Sequence, residues 1–411
     1  MYFRYRYENE KRQDMKVVLI TQITPASDNI RGTSALPYHL MVHRPENIDI
    51  AIFSFNGNNI SVEKIAEVEH ELNVKIKVLN CPKWLRDILK YHLLVIRVLL
   101  KYPLFNYIKL PSGIVNEIIN SQPDGIWFYG QDISRVVRQF PNFKRVHTLP
   151  DCESLYYCRM LGQRFVFNNC MNFWRNIIMY PKYLRMERHY ENSTSVKYSL
   201  VGDADMKSLR KVNPGIQAYF IRHPHYNIID PQKIISFSRP KIKILIAGQY
   251  NLYMKTAFDD MLPVFCKHTE FAEHYSITFL GKGWDFAVEE LKKAGYDSER
   301  FGFVDVYVDE IIKYDIQLTP ISVGTGTKGK VLDAIANGLL VIGTPYAMEN
   351  IAVENGKSCV VYNNPKELIQ TLNDIYKNVS NYEQMAEKGR ERVLKYHSRS
   401  SVSKELFNLF K

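Results

Sequence analysis

No apolar run in this chain approaches the about 20 residues that a membrane-crossing helix needs, so no transmembrane span is expected. Residues 1–14, MYFRYRYENEKRQD, lack the apolar core of a signal peptide and read as a polar tail. Cysteine is scarce. The six residues at 81, 152, 158, 170, 266 and 359 form no C-x-x-C pair, which argues against a zinc ribbon, a redox motif or a disulfide scaffold. Reduced thiols in a cytoplasmic setting follow as the expectation. Acidic residues are also in deficit, 43 against 54 lysines and arginines, giving a formal charge of +11. Such a balance suits an acidic partner. No nucleic-acid-binding motif is present, so the acidic partners left are a nucleotide-bearing small molecule or an anionic lipid surface.

What the chain does contain is a well-punctuated α/β pattern, long enough at 411 residues and 46% apolar for two domains. Its most informative stretch is 317–350, QLTPISVGTGTKGKVLDAIANGLLVIGTPYAMEN. A short apolar strand ends in a loop that interleaves Gly324, Gly326 and Gly329 with two hydroxyls and two lysines. A helix-like VLDAIANG follows and stops at Asn337-Gly338, and LLVIGTP is a second strand. In a strand–glycine loop–helix–strand unit the helix N-terminus offers free N–H groups and a favourable dipole to an anion. Lys328 and Lys330 add charge, so the expected ligand is a phosphate or diphosphate. The spacing Gly324-x-Gly326-x-x-Gly329 is too common to specify a dinucleotide, and Val331 stands where a P-loop needs its magnesium-binding hydroxyl.

The same stretch resembles the donor-sugar domain of the group 1 glycosyltransferases (glycosyltransferase family 4-like), which have the GT-B fold. Gly324, Gly326, Thr327, Lys330, Leu332, Asp333, Ala334, Ala336, Gly338, Val341 and Thr344 carry the match. Asp333 replaces the family's glutamate, Thr325 its earlier glutamate, and Leu340 its proline. The resemblance continues through Gly248, Tyr253 and Ala257, through Gly281 and Gly283, and through Gly302-Phe-Val304-Asp305. It implies a donor site of Gly248, Lys255, Gly281, Val304, Gly326, Thr327, Lys330 and Asp333, with Asp333 on the ribose. Near the end of an earlier strand, Asp151 and Ser154 match a family His-Asp…Ser pattern in which Pro150 replaces the histidine. Asp151 is therefore the candidate catalytic residue. Gly32, Ser154 and Arg159 are candidate acceptor contacts. Implied too are a nucleotide-diphosphate sugar as substrate, a glycan or lipid-linked acceptor, no cofactor and no metal. The letters of the carboxylate pair Asp203-Ala-Asp205 fit a metal motif but fall outside the family's donor pocket. Transfer would retain anomeric configuration. A nucleotide-sugar epimerase of this fold and a non-catalytic glycosyltransferase-like subunit stay open as alternatives.

In chain order the expectation is two Rossmann-like doubly wound domains facing a central cleft. Residues 15–229 form the acceptor-binding domain, 230–240 a proline-punctuated linker and 241–395 the donor-binding domain. Residues 396–411 form a helix packing back on the first domain. Within the first domain, 83–101 (KWLRDILKYHLLVIRVLLK) reads as one amphipathic helix. Lys83, Arg86, Lys90, Arg97 and Lys101 fall on one stripe at about 100° per residue, opposite Trp84, Leu85, Ile88, Leu89, Val95, Ile96, Leu99 and Leu100. Such a helix suits an anionic membrane surface, in a protein peripheral to the inner face of the membrane, or else a core helix with a solvated cationic face. A second helix is expected over 251–265, ending near Pro263.

Overall fold

The computed structural model describes residues 14–30, 32–163 and 170–411. All of the polar tail except Asp14 lies outside the described residues. Two all-parallel sheets organise the chain. The first holds β1 (Met15–Thr21), β2 (Ile48–Ser54), β3 (Lys75–Val78), β4 (Gly125–Tyr129), β5 (Lys144–Leu149), β6 (Val196–Leu200) and β7 (Ala218–Phe220), in the order β3-β2-β1-β4-β5-β6-β7. The second holds β8 (Ile242–Ala247), β9 (Tyr275–Leu280), β10 (Asp297–Phe301), β11 (Ile316–Thr319), β12 (Leu340–Gly343) and β13 (Val360–Val361), in the order β10-β9-β8-β11-β12-β13.

The central strands read as unbroken apolar runs because helices cover both faces of a parallel sheet. β4 and β11 are buried at every position, and β1 from Val17 onward. Each sheet reverses its strand order once, between β1 and β4 and between β8 and β11. At such a switch point the loops leaving the strand ends diverge and open a crevice. Those loops include the segments after β8 and β11, which together with the segment after β5 build the site described below.

From Ile221 to Lys241 the chain forms no helix or strand. The helix Val379–Tyr396 then lies on the second sheet's helices, with Val393 packed in the cluster around Ile335. The final helix, Arg399–Asn408, returns to the first sheet. Ser403 Oγ donates to Leu40 O at 2.6 Å, and Phe407 meets the Trp127 ring edge-on at 5.8 Å. Phe410 sits where a side chain at position 125 would be: a Cβ on Gly125 would lie 2.3 Å from its ring.

Two expectations are corrected. Residues 83–101 form two helices, Lys83–Lys90 and Leu94–Leu99, separated by His92 at φ +50°. A left-handed residue breaks the angular phase, so the single stripe computed across the whole run does not exist. Nor is the apolar side covered, since Val95 is 71% and Leu99 79% exposed and, among the described side chains of the two helices, only Leu85 is buried. The second concerns Pro263, which lies inside the helix Lys255–Lys267 rather than ending it.

Candidate functional site

The loop after β11 is shaped by glycines in backbone conformations that other residues rarely adopt. Gly324 has φ +143° and Gly326 φ +61°. A Cβ on Gly326 would stand 2.4 Å from Asp151 Oδ1. The helix Gly329–Ala336 begins without a side-chain cap. Its first N–H groups are therefore free for a ligand.

This helix start closes one wall of a cavity of about 490 Å³. Gly248, Gln249 and Asn251 follow β8 and form the second wall, while Asp151 and Tyr156 enter from the first sheet. Lys328 and Lys330 both line it. Lys328 Nζ folds back onto the carbonyls of Thr325 (2.7 Å) and Gly326 (3.3 Å). Burial lowers its pKa, and the charge of Asp151 opposes that shift. Burial raises the Asp151 carboxyl above its ordinary range, against the pull of Lys328 and a hydrogen bond from Thr325. Lys330 is exposed, with its ammonium 5.4 Å from the centre of the Tyr307 ring.

Of the residues singled out in the sequence, the candidate site residues Asp151, Gly248 and Lys330 meet in this cavity, together with Gly324, Lys328 and Gly329 of the loop. The others lie elsewhere, each for a visible reason. Lys255 is engaged by Tyr250 Oη at 2.7 Å and Asp259 at 3.0 Å. Gly281 serves packing, because a Cβ there would be 2.1 Å from Gly248 O. Val304 packs against the cluster holding Val331 and Leu332. Gly326 and Thr327 face the first sheet: Gly326 N donates to Asp205 Oδ2 at 3.0 Å, and Thr327 Oγ1 to Val201 O at 2.7 Å. Asp333, 6% exposed, points away from the cavity and accepts from Tyr226 N at 2.9 Å. Its carboxyl is pushed up to about 7 by burial. Ser154 is buried with its N–H on Glu187 Oε1 at 3.1 Å. Gly32 has φ +150° and packs beside Ile23. Arg159 pairs with both oxygens of Glu349 at 2.7 and 2.8 Å and donates to Gly324 O at 2.6 Å.

Arg159 thereby belongs to a seam between the two halves. Asn350 Nδ2 donates to Gly326 O at 2.8 Å while its Oδ1 accepts from Asp203 N at 2.9 Å. Asp205, in the pair set aside above, reaches across this seam with Oδ2, which accepts from Gly326 N, while its Oδ1 accepts from Cys152 N at 2.9 Å within the first half. Its carboxyl is pushed up to about 6, first by burial and then by the charge of Asp151. Among the described residues no cluster of three histidine, cysteine or acidic side chains is placed to hold a metal.

Residues 264–408 match the family described as glycosyl transferase-like. The chain carries a glycosyltransferase-like domain. That domain spans most of the second sheet and the final helices. Solved structures are similar over nearly the whole chain. A glycosyltransferase from Rickettsia africae is 12% identical with TM-score 0.63, covering 97% of this chain and 98% of that one. Sucrose-phosphate synthase from Thermosynechococcus elongatus is 13% identical with TM-score 0.65, covering 96% and 98%. Anabaena HepE in complex with UDP is 9% identical with TM-score 0.61, covering 96% and 99%. At these identities the likeness establishes the fold, which is GT-B. An uncharacterized 44.6 kDa protein in the cps region of Klebsiella pneumoniae is 26% identical over 176 residues, 39% of this chain and 44% of its own length. The alignment thus spans less than half of that relative.

Gln317 and Tyr156 line the cavity without having been singled out in the sequence, and Tyr253 entered there only through the resemblance. Gln317 is fully buried, lines the cavity, and leaves Oε1 without a partner among the described residues. Its signal was a lone amide in the apolar strand IQLT. Tyr156 and Tyr253 meet across the cleft with their hydroxyls 2.9 Å apart. Nothing local marks two tyrosines 97 positions apart as neighbours.

Proposed function

We propose that the protein is a glycosyltransferase that takes a nucleotide-diphosphate sugar in the cavity between the two sheets and transfers the sugar to a glycan or lipid-linked acceptor. The observation that carries this reading is the uncapped start of the Gly329–Ala336 helix, opening with Lys328 and Lys330 into a cavity that also holds Asp151. The diphosphate would lie at that helix start, where the dipole, backbone N–H groups and two ammonium groups stabilise the charge that develops as it leaves. These groups do the work for which other transferases use a divalent cation, which supports a metal-independent reaction. The bond from the anomeric carbon to the diphosphate oxygen breaks, and a bond to the acceptor oxygen forms. The acceptor's proton passes to the leaving phosphate, with retention at the anomeric centre. Asp151, at the carboxyl end of β5, would bind a sugar hydroxyl beside the reacting centre. Gln317 Oε1 offers a further acceptor at the cavity floor.

The cps-region relative supports an acceptor in surface polysaccharide synthesis. The basic, apolar-rich surface over 83–101 supports a peripheral position on an anionic membrane. No helix among the described residues is long and apolar enough to cross one.

The test is incubation with radiolabelled UDP- and GDP-sugars, and with CMP-sugars as the monophosphate control that should not react, with and without a polysaccharide or lipid-linked acceptor pool. Acceptor-dependent transfer of label in EDTA supports the proposal. Conversion of one nucleotide sugar to its epimer without transfer would make it an epimerase, and neither reaction would leave a binding subunit.

A further inference from the structure

A second cavity, of about 470 Å³, lies beside the connection to which the donor helix is hydrogen-bonded. It is lined by His43, His225, Asn227, Ile228, Ser398, Arg399 and Ser400, with no acidic side chain among them. Three separate pieces of chain supply these groups. His43 follows the first helix, His225 and Asn227 sit on the irregular connection between the sheets, and the last three begin the final helix.

The helix Arg399–Asn408 has ten residues, and Ser398 Oγ accepts from Ser401 N at 3.3 Å. That leaves the N–H groups of Arg399 and Ser400 without an intrahelical partner. The His225 imidazole is 7% exposed and faces this cavity. Neither of its ring nitrogens has a hydrogen-bond partner among the described residues, and Nδ1 is shut off from water as well. A buried imidazole without a partner carries a desolvation cost that folding alone does not explain. Arg399 is half-buried, and its contacts are weak, Nε to His225 O at 3.3 Å and Nη2 to Asn227 Oδ1 at 3.5 Å. It forms no ion pair among the described residues. Desolvation lowers its pKa, opposed by the charges of Asp333 and Tyr38. His225 is held down to about 4 by burial first and then by Arg399 and His43, so near neutral pH its ring is uncharged and Arg399 supplies the positive charge of the lining.

We infer that this cavity is a binding site for a phosphate group, gripped by Arg399, His43, His225 and the start of the final helix. A tetrahedral dianion would take the fork of Arg399, the free N–H groups and the Ser400 hydroxyl together. The site is not the donor cavity and needs none of its residues. It touches that cavity's support, since Asp333 and Asn337 of the donor helix hold the backbone of Tyr226 and Ile229 on either side of Asn227. Occupancy would therefore tie the final helix to the connection on which the donor helix rests. The volume exceeds one phosphate ion, leaving room for the organic part of a phosphate ester.

The experiment uses the full chain with ¹⁵N-labelled histidine, titrated with inorganic phosphate and separately with glycerol phosphate, against sodium chloride at matched ionic strength. The expected result is a saturable shift of the His225 and His43 ring signals with phosphate and none with chloride. Tighter binding of the ester would identify an ester as occupant, and equal binding free phosphate. Arg399→Gln should weaken binding at least about tenfold, and Lys330→Ala should leave it unchanged. Should Arg399→Gln fail to fold, Ser400→Glu, at an exposed position, places a carboxylate in the site and should abolish the shift. A shift that chloride reproduces, that never saturates, or that survives both variants overturns the inference. Loss of the shift in Lys330→Ala would place the phosphate in the donor cavity instead.

Discussion

Glu187 shows how burial turns a single residue into a pH-dependent one. It is 2% exposed beneath Ser154, and desolvation pushes its carboxyl up to about 7 despite hydrogen bonds from Ser154 and Cys152. A carboxyl raised in the folded state keeps a proton that the unfolded chain has lost, so its ionisation removes stability as pH rises from about 4.5 to about 7. Glu187→Gln has no such ionisation. Its stability relative to the parent should therefore rise across that window, by on the order of 3 kcal/mol. Urea unfolding at pH 5 and pH 8 measures the difference, and an equal difference at both pH values would contradict the assignment. Gly326 makes the opposite kind of demand. Gly326→Ala must place a Cβ against Asp151 in a left-handed conformation. The backbone alone should cost about 1–2 kcal/mol, read from the denaturation midpoint, and an unshifted midpoint would mean the loop relaxes freely.

At the scale of elements, the sequence disclosed what repeats locally and concealed what depends on partners. β1, β4 and β11 were legible because unbroken apolar runs have few other homes than a parallel sheet, and the loop after β11 because its glycines and lysines sit together. The helix over 83–101 misled because its composition is continuous while its backbone is not. No glycine or proline marks His92, and the end of the second helix is held by a distant residue, Lys182, whose ammonium donates to the carbonyls of Arg97 and Val98. The two short helices and Lys101 beyond them still present all five basic side chains to solvent beside uncovered Trp84, Leu89, Val95 and Leu99. Reversal of Lys83, Arg86, Lys90, Arg97 and Lys101 to glutamate should abolish sedimentation with anionic liposomes, each basic group contributing about 1 kcal/mol near the surface. Equal sedimentation of both forms would show that this surface does not meet a membrane.

For the molecule as a whole, the two halves are joined by polar contacts that no local pattern announces. Arg159 and Glu349 lie 190 positions apart, and Asp205 and Gly326 lie 121 apart. Arg159, Thr327 and Asp333 were singled out as ligand contacts, and the structure uses each to hold the chain to itself. The reason is common to all three. A residue type suited to a phosphate or a hydroxyl is equally suited to a backbone carbonyl or amide across a seam, and only the fold decides between them. Arg159→Met would leave the Glu349 carboxylate at the seam without its bidentate partner, a loss of roughly 1–3 kcal/mol. The halves should separate more readily, and small-angle scattering should give a larger radius of gyration than the parent. Superimposable curves would show that the seam does not depend on this pair.

The central claim is that the glycine loop and helix start at Gly324–Val331 hold a nucleoside diphosphate without a metal ion. Calorimetric titration of UDP and GDP in excess EDTA, on the parent chain and on Lys330→Ala, tests it most directly. The account predicts that one of the two nucleotides binds the parent in EDTA, and that Lys330→Ala weakens it by about 1–3 kcal/mol while keeping its melting temperature. Binding of neither nucleotide, binding that appears only when manganese is added, or equal affinity in Lys330→Ala would contradict it.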